Sequence, residues 1–352
     1  MNQEAPELLA PDYTITMDGR DLTSVLDPRM MRLSVRECRA DEADTLDLVL
    51  DDSDGKLEIP KRGAVLSVAI GWSGRALVDK GSFTVNEVEH AGTPDTITVR
   101  ARSASMTKGM GERQEKSWHD QSVGDIVRTI AGRHQLTPKV GDELGKFKIP
   151  HIDQTHESDM SFLTRLARRF DAVMTVKEGN LLFLPIGTGA TMSGQEVPAI
   201  ALTRQDGDRH RFHVSERENY SAVRAYWHNN GEKKRHSVVV GGEDNHSVKV
   251  LPENYASQAE AERAATAEFE RTKRSQATFN YTMAIGQPEL RPEAPVTLSG
   301  WNKPEIDDED WLVQQVTHAI DDSGGYTCDM ELEILDDPIT KRHRSNFRKG
   351  GN

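Results

Sequence analysis

From Ser257 to Trp301 the spacing of apolar positions changes from helical to alternating and then breaks. Ser257 can cap a helix and Glu260, three residues on, can reach back to it, ahead of Ala261, Ala264, Ala265 and Phe269 at helical spacing. A helix is therefore predicted over 257–275. Glu260 and Glu262 fall in its first turns and Arg271, Lys273 and Arg274 in its last, complementing the dipole, with Glu270 in reach of Arg274. So many charges predict a mostly solvated helix. From Phe279 the period becomes two, with Phe279, Tyr281, Met283 and Ile285 on one face of a strand that ends at Gly286-Gln287-Pro288. Pro288, Pro292 and Pro295 exclude helix and central strand until Val296 and Leu298. Helix, strand, rigid turn and strand are expected to form one unit.

The remaining chain divides by the same patterns. Residues 1–107 read as short strands at regular spacing, the pattern of a β-barrel or sandwich: Tyr13/Ile15/Met17, Met31/Leu33/Val35, Leu46/Leu48/Leu50, Leu66/Val68/Ile70/Trp72, Phe83/Val85 and Ile97/Val99, with no helix between them. Residues 108–190 change character. Ser122 opens a helix carrying Val123, Ile126, Val127 and Ile130, and Ser158 opens another carrying Phe162, Leu163, Leu166 and Phe170. A polar, His-containing loop is expected between them. A hairpin over 173–184 turns at Lys177–Asn180, which completes a small α+β module. Residues 191–335 return to strands, at 199–202, 209–215, 220–227, 238–240, 248–251, 311–320 and 326–335, and are read as a second barrel built like the first plus the one helix. The expected class is β-rich α+β: two antiparallel barrels with an inserted α+β module.

Composition narrows the function classes. The 352 residues are 36% hydrophobic and 29% charged, and no window approaches the roughly 20 apolar residues needed to span a bilayer. A soluble, cytoplasmically made chain without membrane insertion is predicted, since the first residues lack the basic and apolar regions of a secretory signal. The net charge of -13 and pI near 5.4 argue against nucleic-acid binding, which needs a basic surface. The exception is the segment 336–352, where Lys341, Arg342, Arg344, Arg348 and Lys349 predict a tail that is disordered or ordered by a partner. Cys38 and Cys328 belong to no CxxC pair, and a reduced structural role or a single bridge between them are both open.

No catalytic, cofactor or metal site is expected. His151 with His156, and His210 with His213, lack the HExxH form, and the second pair would point to opposite faces of a strand. Gly187, Gly189 and Gly194 precede no Lys-Ser/Thr and read as a loop. Asp51–Asp54 and Asp307–Asp310 miss the calcium-loop register and read as solvated turns. GxSxG is absent, and no two of the many carboxylates stand out as a glycosidase pair. The basic run Glu232–His236 reads as a charged loop or edge, and Tyr226 and Trp227 as core and rim.

Several longer stretches carry a family likeness. Ser117–Asp120 followed by Ser122–Val127, His151–Asp159 leading into Phe162–Ala167, Tyr226–His228, Gly286–Pro292 and Trp311–His318 together resemble the late control gene D proteins of P2-like phages, relatives of the VgrG N-terminal region and the T4 baseplate hub. The likeness runs in order through nearly the whole chain and leaves out only the basic tail. It implies a structural baseplate hub of a contractile phage tail or tailocin. In that reading three chains, each with two tube-type barrels, close a ring that adapts the sixfold tail tube to a threefold central spike. The partners implied are two further copies of the chain, a separate spike protein, a tube protein or tube initiator and other baseplate proteins, in a particle assembled in the host cytoplasm. The alternative class is a tail-associated peptidoglycan hydrolase.

Overall fold

The computed structural model describes residues 10–39, 43–103, 109–177, 179–187, 198–214, 220–229, 234–242, 247–322 and 325–335. The first strand region contains β1 (Pro11–Met17), β2 (Arg20–Asp21), α1 (Thr23–Leu26), a 3-10 turn (Asp27–Arg29), β3 (Met30–Cys38), β4 (Thr45–Asp51), β5 (Val65–Trp72), β6 (Val78–Ala91) and β7 (Thr96–Ser103). All six alternating segments form strands. The expectation of no helix among them fails at α1, where Leu22 N–H is held by Ile15 O at 2.9 Å and the chain turns to bury Leu26.

The insertion contains β8 (Arg113–Ser122), α2 (Val123–Arg133), β9 (Thr137–Val140), α3 (Asp142–Gly145), β10 (Lys148–Ser158), α4 (Asp159–Arg169), β11 (Ala172–Lys177) and β12 (Asn180–Pro185). Both serine caps are present: Ser122 Oγ accepts from Asp125 N–H at 3.0 Å, and Ser158 Oγ from Ser161 N–H at 3.1 Å. The segment expected as a polar loop is β10, paired antiparallel with β8 in a ribbon of two strands. Most of its side chains stay in water, so the apolar alternation that marks a strand is missing from its sequence. β11 and β12 form the predicted hairpin, and β9 adds parallel to β12.

The third part contains β13 (Ile200–Thr203), β14 (Gly207–Val214), β15 (Ala222–Asn229), β16 (Lys234–Gly241), β17 (Val248–Tyr255), α5 (Gln258–Arg274), β18 (Ala277–Met283), β19 (Pro295–Ser299), α6 (Pro304–Asp307), β20 (Asp310–Asp321) and β21 (Gly325–Ile334). One 13-stranded sheet runs β14-β18-β21-β20-β3-β4-β7-β6-β5-β1-β2, with β19 on β20 and β13 on β19. The two strand regions meet where β20 pairs with β3, from Gln315↔Cys38 to Asp321↔Arg32. That ladder makes the two regions one hydrogen-bonded body. The pairing is not wholly antiparallel, because β13–β19, β12–β9 and β15–β17 run parallel.

Three apolar clusters follow from these pairings. The largest takes Ile15, Leu33, Leu46 and Phe83 from the first region together with Phe279, Tyr281, Trp311 and Tyr326 from the third. Burying side chains of this size stabilises by roughly 1.5–3 kcal/mol each. The insertion has its own core, including Ile126, Ile130, Phe162, Leu166 and Phe183. α5 lies on the separate sheet β16-β15-β17 through Ala261, Ala264 and Ala265 against Val223, Ala225 and Tyr255. The helix is thus neither mostly solvated nor one unit with β18 and β19: its alanines let the sheet approach closely, while β18 and β19 join the large sheet. Ile285, expected on the buried face of β18, lies past its end and is 55% exposed.

Candidate functional site: buried ion chains at the junction

Glu37 and His318 occupy inward positions of β3 and β20 where alternation calls for apolar side chains, and Lys80 of β6 is turned inward beside the irregularity in the β5–β6 pairing. Lys80 Nζ lies 2.7 Å from Glu37 Oε2, 3.2 Å from Leu290 O and 2.9 Å from His318 Nε2, which supplies a partner for each of its three protons. His318 Nδ1 is 2.8 Å from Tyr326 Oη and 3.2 Å from Cys328 Sγ. The three charged or titratable side chains are almost fully enclosed. Burial pushes the Glu37 carboxyl up, but His318, Lys80 and Lys177 outweigh it and hold the group down to about 2. Burial lowers His318, which therefore sits neutral beside the ammonium. Burial also pushes the Cys328 thiol up to about 11, so no thiolate nucleophile is present at neutral pH.

A second chain of charges joins the parts of the protein. Arg39, just after β3, pairs with Glu293 in the proline turn and with Glu333 of β21, the latter at 2.5 Å. Glu293 also accepts from Gly187 N–H at 2.9 Å, where the insertion returns to the sheet. Arg274, at the last turn of α5, lies 3.1 Å from Glu333 through Nε and donates through Nη1 to Asp171 Oδ2 of the insertion at 2.7 Å. Glu270, expected near Arg274, lies instead 4.0 Å from Lys273. Removing ions from water costs several kcal/mol each, so these groups are tolerable only because each is shared among partners from different segments.

α4 and α5 add further links. Arg169 reaches Glu260 at 3.2 Å, and Arg271 donates to Arg168 O. The cap at Ser257 forms as expected, accepting from Glu260 N–H at 3.3 Å, whereas the Glu260 carboxylate accepts from Ala256 N–H rather than from Ser257. A cleft of about 690 Å³ lies between the insertion and α5, lined by Met160, Arg165, Arg169, Tyr255, Glu268 and Arg271. At the N-terminus of α4, Asp159 is buried and accepts from Gln154 at 2.8 Å and lies 2.8 Å from His134 and 3.2 Å from Arg133. Burial acts to raise its carboxyl, but these partners hold it below the ordinary carboxylate range.

The structure scatters the residues singled out from sequence. His156 lies 3.0 Å from Glu115, while His210 stacks on Phe279 at 5.8 Å, on the opposite strand face from His213. Asp54 pairs with Arg29 at 2.7 Å, and Asp307 accepts from Trp301 N–H at 3.2 Å. Cys38 and Cys328 are both free thiols. In β16, His236 stacks on Trp227 at 4.8 Å and Arg235 lies 3.6 Å over Tyr226. Gly189, Gly194, Glu232, Lys233 and the whole basic tail 336–352 lie outside the described residues. One arrangement was not anticipated: His151 faces His119 across β8 and β10, with Nδ1 atoms 3.1 Å apart. The two are far apart in sequence, and only the register of the ribbon brings them together.

Among the described residues, then, the buried polar groups are shared between segments and serve cohesion. This sharing ties the two strand regions, the insertion and α5 into one strand-rich body. The chain belongs to the phage tail baseplate hub family, whose model matches residues 44–324. It is 41% identical to the probable baseplate hub protein of Escherichia phage 186, over 95% of each chain. With that of Escherichia phage P2 it shares 40% identity, over 94% of this chain and 95% of the relative. The family is one of structural tail components rather than enzymes. Its fold is also that of an E. coli type VI secretion component described as similar to T4 tail proteins gp27 and gp5, with TM-score 0.54 and 14% identity over 88% of this chain and 74% of that one.

Proposed function

We propose that three copies of this chain close a ring that adapts a sixfold tail tube to a threefold central spike. In this reading residues 1–107 and 191–335 each supply a tube-type barrel, giving six around the axis, and residues 108–190 form the inserted module. The observation that carries the proposal is the β3–β20 ladder with the Arg39–Glu333–Arg274–Asp171 chain across it. It ties every part of the protomer to the others, as a body that transmits load without shearing must be tied.

The free edges support the same reading. β14 pairs only with β18 among the described strands and exposes Arg209, Arg211, His213 and Val214. β2 ends the path on the other side. A head-to-tail ring pairs or covers such edges and removes the aggregation hazard they carry. The partners are a separate spike protein, a tube protein or tube initiator and other baseplate proteins, assembled in the host cytoplasm. No catalytic step, cofactor or nucleic-acid contact is part of the role.

Light scattering with and without co-expressed spike protein, followed by particle imaging, tests it. The 39.3 kDa chain should give a trimer of about 118 kDa with a central hole, alone or with the spike. A monomer in both conditions would remove the ring. Release of muropeptides from purified peptidoglycan would overturn the non-catalytic role.

A further inference from the structure

Among the described residues the ribbon of β8 and β10 has no third strand, and two-stranded ribbons are marginally stable on their own. Its exposed face carries His119 and His151 at directly opposed register positions. Their rings stack with centroids 4.7 Å apart, and the two Nδ1 atoms face each other at 3.1 Å. Two imidazole nitrogens at that distance need either a proton between them or a cation. The rest of the cluster decides which nitrogen of His151 is bare. Its Nε2 lies 3.1 Å from Asp153 Oδ2, while Asp153 Oδ1 accepts from Ser117 Oγ at 2.6 Å. An ionised carboxylate only accepts, so His151 donates through Nε2–H and, when neutral, turns the lone pair of Nδ1 toward His119.

We propose that His119 and His151 form a surface site for a divalent transition-metal ion of the zinc class, oriented by Asp153 and Ser117. Zinc–nitrogen bonds of about 2.0–2.1 Å spanning the 3.1 Å separation subtend an angle of about 100° at the metal, between square-planar and tetrahedral values. A carboxylate on the far ring nitrogen is the usual outer partner of a metal-bound histidine, fixing tautomer and ring orientation. No group of three or more His, Cys, Asp and Glu among the described residues is placed to hold a metal, so the pair supplies two ligands and water the remainder. Bound metal links the two strands of the ribbon through side chains.

Isothermal titration of Zn²⁺ into the full chain, free of tags and in a non-chelating buffer at neutral pH, should show one saturable site per chain. His119→Gln and His151→Gln should each abolish it, and Asp153→Asn should weaken it by about tenfold to a hundredfold. Copper(II) loaded on the unmodified chain should show hyperfine coupling to two imidazole nitrogens, a readout independent of whether a variant folds. Zinc binding unchanged in either histidine variant, or a copper spectrum with other than two nitrogens, would overturn the site.

Discussion

Lys80 and Glu37, from strands that do not pair with each other, form a 2.7 Å ion pair with side chains only 2% and 8% exposed. The pair is tied by His318 to β20, so it spans both strand regions. Lys80→Met leaves Glu37 buried with one cation fewer and is expected to cost about 3–5 kcal/mol, whereas Lys80→Met with Glu37→Leu should recover much of that loss. Urea unfolding of the four chains measures the coupling. A single substitution costing under about 1 kcal/mol would show that water reaches the pair.

The same cluster sets a pH dependence. Unfolded, Glu37 titrates near 4.5, and folded it is held at about 2. Its contribution is fully present above 4.5 and is lost as pH falls toward 2, up to about 3 kcal/mol. His318, lowered by burial, acts in the same direction from 6.5 downward, because the unfolded chain takes up a proton that the folded chain resists. Glu293, raised by burial, acts oppositely, favouring the folded state at low pH. Urea unfolding from about pH 7 to about pH 3 should show a smaller acid loss in Glu37→Gln than in the unmodified chain. Parallel curves would contradict the assignment.

Tyr281 is 1% exposed and donates to Thr203 O at 2.6 Å, bringing β18 to the end of β13. Tyr281→Asp puts a charge in the core and should cost several kcal/mol and prevent assembly. Tyr281→Phe keeps the ring and should cost about 1 kcal/mol for the lost hydrogen bond. Thermal unfolding and particle mass read both, and a Tyr281→Asp chain that assembles normally would refute the placement.

Arg274→Ala removes the cation that Asp171 and Glu333 share. The expected cost is about 3–5 kcal/mol, concentrated where α5 meets the insertion. Hydrogen exchange should speed up in α4 and α5 before it does in β3 and β20. Uniform acceleration across the chain would mean that the contact is not local.

At the start of α5, Ser257→Ala removes the acceptor for Glu260 N–H and should cost about 1 kcal/mol. Circular dichroism during urea unfolding checks it, and an unchanged midpoint would mean that Ala256 and Glu260 cap the helix without the serine.

Local chemistry made much of this protein legible. Tyr13, Ile15, Leu33, Leu46, Phe279 and Met330 alternate along their strands because one face of each strand is buried, and a period of two survives in any context. Ser122, Ser158 and Ser257 announce helix starts because an N-cap is satisfied within a single turn. The stretches around Ser117, His151 and Trp311 pointed to the baseplate hub family, which the whole-length match bears out. Glu37 and His318 also carried a signal, since each occupies an inward position of an alternating strand, whereas Lys80 is out of step with Phe83 and Val85 and is turned inward only by the irregular β5–β6 pairing.

What the sequence determined by itself was therefore mostly features whose cause lies within a few residues: strand faces, helix caps, proline turns and family motifs, with the short α1 and the end of β18 ahead of Ile285 as local exceptions. Tertiary structure alone decided that β3 pairs with β20, that Arg39 reaches Glu333, that α5 buries its alanines on β15–β17, and that His119 meets His151. Backbone hydrogen bonding is the same for any pair of strands, so partner and register are chosen by the packing of the whole chain. The β8–β10 ribbon is the clearest case: both strands face water, their sequences lack apolar alternation, and only the fold reveals what they bring together.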